Sequence, residues 1–146
     1  MDNNYVVYSF NKVKKMMHQY LDNQIKSFDI YDLVPAYADI LTSLYINEGK
    51  LKMNQISEMV GKDKSTITVL VNKLADRGYV IKEKSTLDKR VTYIKLSEKA
   101  YNYENEFLMI ASNVRQVAFK DFSDDEVEMF MNMLNRMHDN FEENSK

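Results

Sequence analysis

Residues 63–78, DKSTITVLVNKLADRG, open with a residue that starts helices and close with one that stops them. The carboxylate of Asp63 can accept from the free backbone N–H groups of a first turn, and Gly78 can take the left-handed conformation that ends a last one. Between them Ile67, Leu70, Val71 and Leu74 fall at i, i+3, i+4 and i+7, the spacing of one buried helical face. That leaves Lys64, Ser65, Thr66, Thr68, Val69, Asn72 and Lys73 on the outer face and the first turn. An outer face of hydroxyls, amides and cations can read base edges and hold phosphates.

Upstream, Met53, Ile56, Met59 and Val60 predict a short helix that Gly61 breaks, so two helices meet across a glycine turn. Downstream the period changes from helical to alternating. YVIKEK (79–84) and VTYIKLS (91–97) read as strands joined by STLDKR (85–90). Helix, helix and β-hairpin in this order make a winged helix-turn-helix, with 63–78 as the reader and 85–90 as the wing.

Helical arms flank the unit. An apolar stripe of Val6, Phe10, Val13, Met17, Tyr20 and Leu21 predicts a helix over about 5–26, and Pro35 suits the first turn of a second helix ending at Gly49. Ser97 and Glu98 start a helix expected to run to about Phe119. Ser123 and Glu126 have capping-box spacing, and Val127, Phe130, Met131, Leu134, Met137, His138 and Phe141 form a stripe along the last helix. Stripes at both ends predict a homodimer built from the termini. The expected organisation is one domain, 1–146, mostly α with a small β-hairpin wing. The DNA-binding unit spans about 35–97, and dimerisation arms cover about 5–26 and 98–143.

Charge supports the division. Residues 50–100 hold 12 Lys and Arg against 6 Asp and Glu, whereas the rest of the chain holds 8 against 16. A basic middle between acidic flanks is placed to meet a polyanion. With no cysteine, disulfides, thiolate metal sites and cysteine redox switches are excluded. No apolar run approaches the roughly 18 residues of a membrane span, and the N-terminus lacks the order of a secretory signal, so a cytoplasmic location is expected.

From Gly49 to Ala100 the sequence resembles the MarR family of winged-helix transcription regulators. The resemblance rests on DKSTITVLVNKLADRGYV, on the D-x-R of Asp88, Lys89 and Arg90, and on IKLSEKA leading into a helix. It implies a homodimer that binds double-stranded DNA through recognition helix and wing, with frequent control by small, often phenolic, ligands. It also implies that Arg90 is the wing contact and that Asp88 shapes the wing. Val69 departs from the arginine that many members carry there, and Ser97 and Ala100 replace a frequent Thr and Gly.

The residues themselves add detail. Lys64, Ser65 and Thr66 lie at a helix N-terminus, where phosphate is favoured. Thr68 and Asn72 can address base edges, and Val69 can touch a thymine methyl. Lys84, Lys89 and Arg90 are the wing cations, and a guanidinium there can enter a narrow A·T-rich minor groove. Asp88 is expected to accept from the turn backbone or from Arg90, pre-setting the guanidinium. Met17, Tyr37, Leu41 and Phe107 are candidates to line a cleft for a small aromatic effector. His18 and His138 have no metal spacing, no phosphate loop or nucleophile elbow appears, and neither an enzyme nor a cofactor is expected. The function expected is a sequence-specific repressor binding a pseudo-palindromic operator. The alternative is a protein-interaction module that uses the winged helix without specific DNA binding.

Overall fold

A computed structural model describes residues 5–146 of the chain. Its elements run α1 (Val6–Ser27), α2 (Pro35–Tyr45), β1 (Lys50–Lys52), α3 (Met53–Val60), α4 (Lys64–Asp76), β2 (Val80–Lys84), β3 (Thr92–Leu96), α5 (Glu98–Asn102), α6 (Glu104–Ala118) and α7 (Asp124–Asn144). They fall into two compact units that divide between Ser112 and Asn113, inside α6. None of the described helices is long and apolar enough to cross a membrane.

In the first unit the core is where the helical spacing puts it. Ile40, Leu41 and Leu44 of α2, Ile56 of α3, and Ile67, Val71 and Leu74 of α4 are fully buried together with Ile94 of β3. Each of these eight side chains leaves water for apolar surroundings, worth about 1.5–3 kcal/mol apiece before conformational entropy is charged against it. At the end of α4, Gly78 has φ +80°, and its N–H and that of Tyr79 take the last helical carbonyls, those of Ala75 and Leu74.

The hairpin forms as expected, but its sheet has a third strand. β3 lies in the middle, antiparallel to both neighbours, with Leu51 of β1 and Lys82 of β2 both opposite Ile94. β1 consists of Lys50, Leu51 and Lys52, and Leu51 is its one buried residue, so it lacked an alternating pattern long enough to read.

Two expectations need correction. Met59, assigned to the buried face of α3, is 50% exposed; Ile56 alone of that set is buried, and the Met59 sulfur instead accepts from Asn47 Nδ2 at 3.4 Å. The helix expected from Ser97 to about Phe119 is interrupted at Tyr103, where α5 ends and α6 begins. At that interruption the Tyr103 ring comes within 6.2 Å of the buried Tyr79 ring.

The second unit is dominated by α7. Its capping box is formed: Glu126 N–H donates to Ser123 Oγ at 3.2 Å, and Ser123 N–H donates to Glu126 Oε2 at 2.8 Å. The Phe119 ring lies edge-on to Phe122 and Phe130 at 5.7 and 6.0 Å. No residue of α7 is buried, so the stripe that includes Phe130, Met131, Met137 and Phe141 faces solvent. In the first unit, α1 likewise exposes Val6, Phe10, Val13 and Met17 and buries only Ile25.

Candidate nucleic-acid interface

Local hydrogen bonding fixes how α4 presents its outer face. Asp63 caps the helix, accepting at 2.7 Å from both Thr66 N–H and Ser65 Oγ, and these bonds hold its carboxyl below the usual range. Thr68 Oγ1 donates to the Lys64 carbonyl at 2.7 Å. Both hydroxyl protons therefore stay inside the protein, and Ser65 and Thr68 turn oxygen lone pairs toward anything that approaches. Lys64, Ser65, Thr66, Thr68, Val69, Asn72 and Lys73 are all exposed, as their spacing predicts.

Asn72 has a different constraint. Lys82 Nζ of β2 donates to Asn72 Oδ1 at 2.7 Å. An ammonium only donates, so the amide orientation is chemically forced: oxygen toward Lys82, NH₂ free to face outward. Lys82 thus connects β2, an edge strand of the sheet, to the reader's outer face.

The wing is rigid for a loop. Ser85 N–H donates to the Val91 carbonyl at 2.9 Å, and Val91 N–H to the Asp88 carbonyl at 3.0 Å. The N–H groups of Leu87 and Asp88 share Ser85 Oγ, each at 3.2 Å. Asp88 accepts from Arg90 three times: Oδ1 takes the backbone N–H at 3.0 Å and Nε at 3.1 Å, and Oδ2 takes Nη2 at 3.3 Å. Those bonds, the guanidinium's first, hold the Asp88 carboxyl below the ordinary range. Both donors expected for Asp88, turn backbone and guanidinium, are therefore used together.

Reader and wing converge on one cleft of about 410 Å³. Lys52 and Asn54 line it beside Lys64, Thr68, Lys82 and Arg90. Sequence reasoning missed Lys52 because β1 gave no signal, and it did not single out Asn54 in the first turn of α3. Among the described residues Lys64, Lys73, Lys82, Lys84 and Lys89 form no ion pair, whereas Glu83 takes up Lys95 at 3.3 Å and Lys50 at 3.8 Å. Five cations of reader and hairpin are thus left without a protein carboxylate.

Behind the reader, α4 is anchored by a polar network. Tyr79 Oη donates to Asp32 Oδ1 at 2.7 Å, and Lys99 Nζ donates to Asp32 Oδ2 at 3.2 Å and to the Arg77 carbonyl at 2.8 Å. Burial pushes Asp32 up, but the bonds from Tyr79 and Lys99 outweigh it and leave its pKa lowered. Lys99 also stands 4.2 Å from the Tyr79 ring centroid, and Ser97 N–H donates to the Tyr79 carbonyl at 2.9 Å. None of this network was anticipated, since its members are far apart in sequence.

The candidate effector residues are placed differently from the DNA-facing set. Tyr37, Leu41 and Phe107 are buried, with Arg77 5.0 Å from the Tyr37 ring and Tyr45 5.5 Å from the Phe107 ring. Met17 lies on the exposed face of α1. His18 is half-buried in α1, and His138 Nδ1 lies 3.2 Å from Asp139 Oδ1 on the exposed surface of α7.

Similarity to known proteins converges on the same span. The sequence model of the MarR family matches residues 31–91, from the segment before α2 to the end of the wing. The HTH-type transcriptional regulator MhqR of Bacillus subtilis is 28% identical over 116 residues, covering 80% of this chain and 79% of that protein. In fold, the S. aureus MepR–DNA complex superposes with TM-score 0.80 at 21% identity, covering 93% of this chain and 98% of MepR. BpsR of Bordetella bronchiseptica, whose DNA binding is regulated by 6-hydroxynicotinic acid, superposes with TM-score 0.80 at 16% identity, covering 95% and 96%. The matched span holds the reader and the D-x-R wing, and over residues 31–91 the chain is similar to the MarR family of winged-helix transcriptional regulators.

Proposed function

We propose that the chain is a homodimeric, sequence-specific DNA-binding repressor whose affinity a small aromatic ligand reduces. The observation that carries this reading is the convergence of a capped, polar helix face and a rigid wing on one cleft ringed by Lys52, Lys64, Lys82 and Arg90. Duplex DNA supplies what that surface lacks: phosphates for the cations and base edges for the helix.

In this reading α4 enters the major groove. Ser65 and Thr68, with their protons held inside, accept from cytosine N4 or adenine N6, and the Asn72 amide donates to guanine or thymine acceptors. Val69 meets a thymine methyl in place of an arginine contact. Lys64 and Thr66 at the helix start, with Lys73, Lys84 and Lys89, hold phosphates, and Arg90 enters the minor groove with Asp88 behind it.

The exposed stripes of α1 and α7 support the dimer, since solvent-facing rows of Val, Phe and Met are stabilised by burial against a second copy. Two-fold symmetry then places the readers on half-sites about one helical turn, roughly 34 Å, apart. An aromatic effector is proposed beside Tyr37, Leu41 and Phe107, with Met17 at the edge. Its entry parts the buried side chains of Tyr37, Leu41 and Phe107. BpsR, regulated by an aromatic acid, is the relative that favours such control.

The test is fluorescence anisotropy of the purified protein on the DNA upstream of its own gene and on duplexes selected from a random pool, at several salt concentrations. The expected result is selective binding that falls steeply with salt, as released counterions require. Absence of any selected sequence would favour the protein-interaction module instead. Sedimentation tests the dimer, and a reporter downstream of the selected site tests repression.

A further inference from the structure

The geometry points to Leu87 as an apolar minor-groove contact of the wing, a role that rests on the DNA-binding reading above. Leu87 is 98% exposed, the most solvent-facing of the large apolar side chains among the described residues; the next, Tyr31, is 75% exposed. A single exposed leucine is ordinary on a protein surface, and what sets Leu87 apart is the order of the loop that carries it. This loop is not loose. The backbone N–H groups of Ser85, Leu87, Asp88, Arg90 and Val91 are all bonded within residues 85–91. The side chain is therefore held away from the protein by the same bonds that order the tip.

It also stands where DNA is expected. Leu87 directly precedes Asp88, which orients Arg90, and Lys84 and Lys89 flank it. These cations draw the tip to the phosphate rims, while the apolar side chain has no phosphate to bind. Between the rims lie deoxyribose faces and the edges of stacked bases, and leucine is among the side chains that enter minor grooves as apolar wedges. Burial there releases the water that Leu87 orders in the free protein, a gain that only the complex realises. Arg90 and Leu87 divide the work: the guanidinium responds to the groove's potential, and the leucine to its shape and deformability.

The test compares wild type, Leu87→Ser, Leu87→Met and Leu87→Lys on the best duplex from the random pool, by anisotropy across a salt series. Thermal midpoints of all four are expected to agree, because Leu87 makes no contact that folding needs. Leu87→Ser is expected to bind about tenfold more weakly, with the salt slope unchanged because no phosphate contact is lost. Leu87→Met should retain near-wild-type affinity. Undiminished binding by Leu87→Ser would overturn the inference, as would tighter binding with a steeper slope by Leu87→Lys, which would place the position against phosphates. Failure of wild type to bind any selected duplex would instead remove the DNA reading itself, and is seen before any variant is made.

Discussion

Removing one oxygen from Tyr79 tests the anchor behind the reader. Tyr79 is 1% exposed, and its hydroxyl donates to Asp32 at 2.7 Å. Tyr79→Phe keeps the ring, its packing and the Lys99 ammonium over its face, and deletes only the donor. A hydrogen bond to a charged acceptor contributes about 1.5–3 kcal/mol. The Asp32 side chain is 43% exposed and retains Lys99 as a partner, so water can replace the lost donor and the lower end applies. The expected cost is roughly 1.5 kcal/mol, or a fall of about 6 °C in Tm at about 4 °C per kcal/mol.

The sign of the pH dependence follows from Asp32. Its folded-state pKa lies below the unfolded value, so the stabilisation is fully present above the ordinary carboxylate pKa of about 3.9 and is lost as pH falls through the lower folded value. The gap between wild type and Tyr79→Phe should be full near pH 6–7 and should narrow below about pH 4. Urea denaturation at both pH values, combined with a double-mutant cycle using Asp32→Ala, isolates the pair. A coupling of about 1 kcal/mol is expected. Coupling below about 0.3 kcal/mol, or a gap indifferent to acid, would refute the anchor.

Asp88→Asn should weaken DNA binding several-fold although the wing becomes more positive, because the guanidinium loses its charged partner; tighter binding in the anisotropy assay would show that charge alone matters there. Arg90→Ala should lose affinity chiefly for A·T-rich flanks and lower the salt slope by about one; an unchanged operator affinity at moderate salt contradicts the wing contact. Lys82→Met frees the Asn72 carbonyl, so random-pool selection should show adenine newly accepted at the base facing Asn72, where wild type prefers guanine or thymine. Gly49→Ala should destabilise more than Gly61→Ala: both have positive φ, but of the two only Gly49 would have its new Cβ meet a neighbour, Tyr101 Oη. Its excess cost, on the order of 1 kcal/mol by thermal melts, should vanish in a Tyr101→Ala background.

What the sequence disclosed is what local chemistry determines. Asp63 and Gly78 bound α4 because a cap and a left-handed stop act within one turn, and Asp88 holds Arg90 because the two are close neighbours in one tight turn. Ser123 and Glu126 were legible for the same reason. What stayed hidden depends on distant partners. Lys50–Lys52 become a strand only because β3 is beside them, so Lys52 could not be assigned to the cleft. The interruption at Tyr103 has no Gly or Pro to mark it. Met59 keeps the spacing of a buried residue and is nonetheless half exposed, since α3 buries a narrower stripe than the pattern allows. The Asp32–Tyr79–Lys99 network joins three separate segments, and no local rule pairs them.

The reader is constrained at both ends, and by different kinds of bond. At its N-terminus, Asp63 and the Lys64 carbonyl decide which way hydroxyl protons point, so this end sets what α4 can read. At its C-terminus, the Arg77 carbonyl, Gly78 and Tyr79 are tied to Lys99, Ser97 and Asp32, so this end sets where α4 points. Asp32 belongs to the connection between α1 and α2, and Lys99 to the helix that follows the wing. A ligand that displaces that connection would act on the direction of α4 through Asp32 and leave the base-reading chemistry proposed for Ser65, Thr68 and Asn72 intact. In the proposed dimer, control of this kind changes how well two readers fit two half-sites without changing which bases each prefers. Effector titrations should accordingly shift affinity for every selected operator by a similar factor, and a ligand that altered base preference would have to act at the other end of the helix.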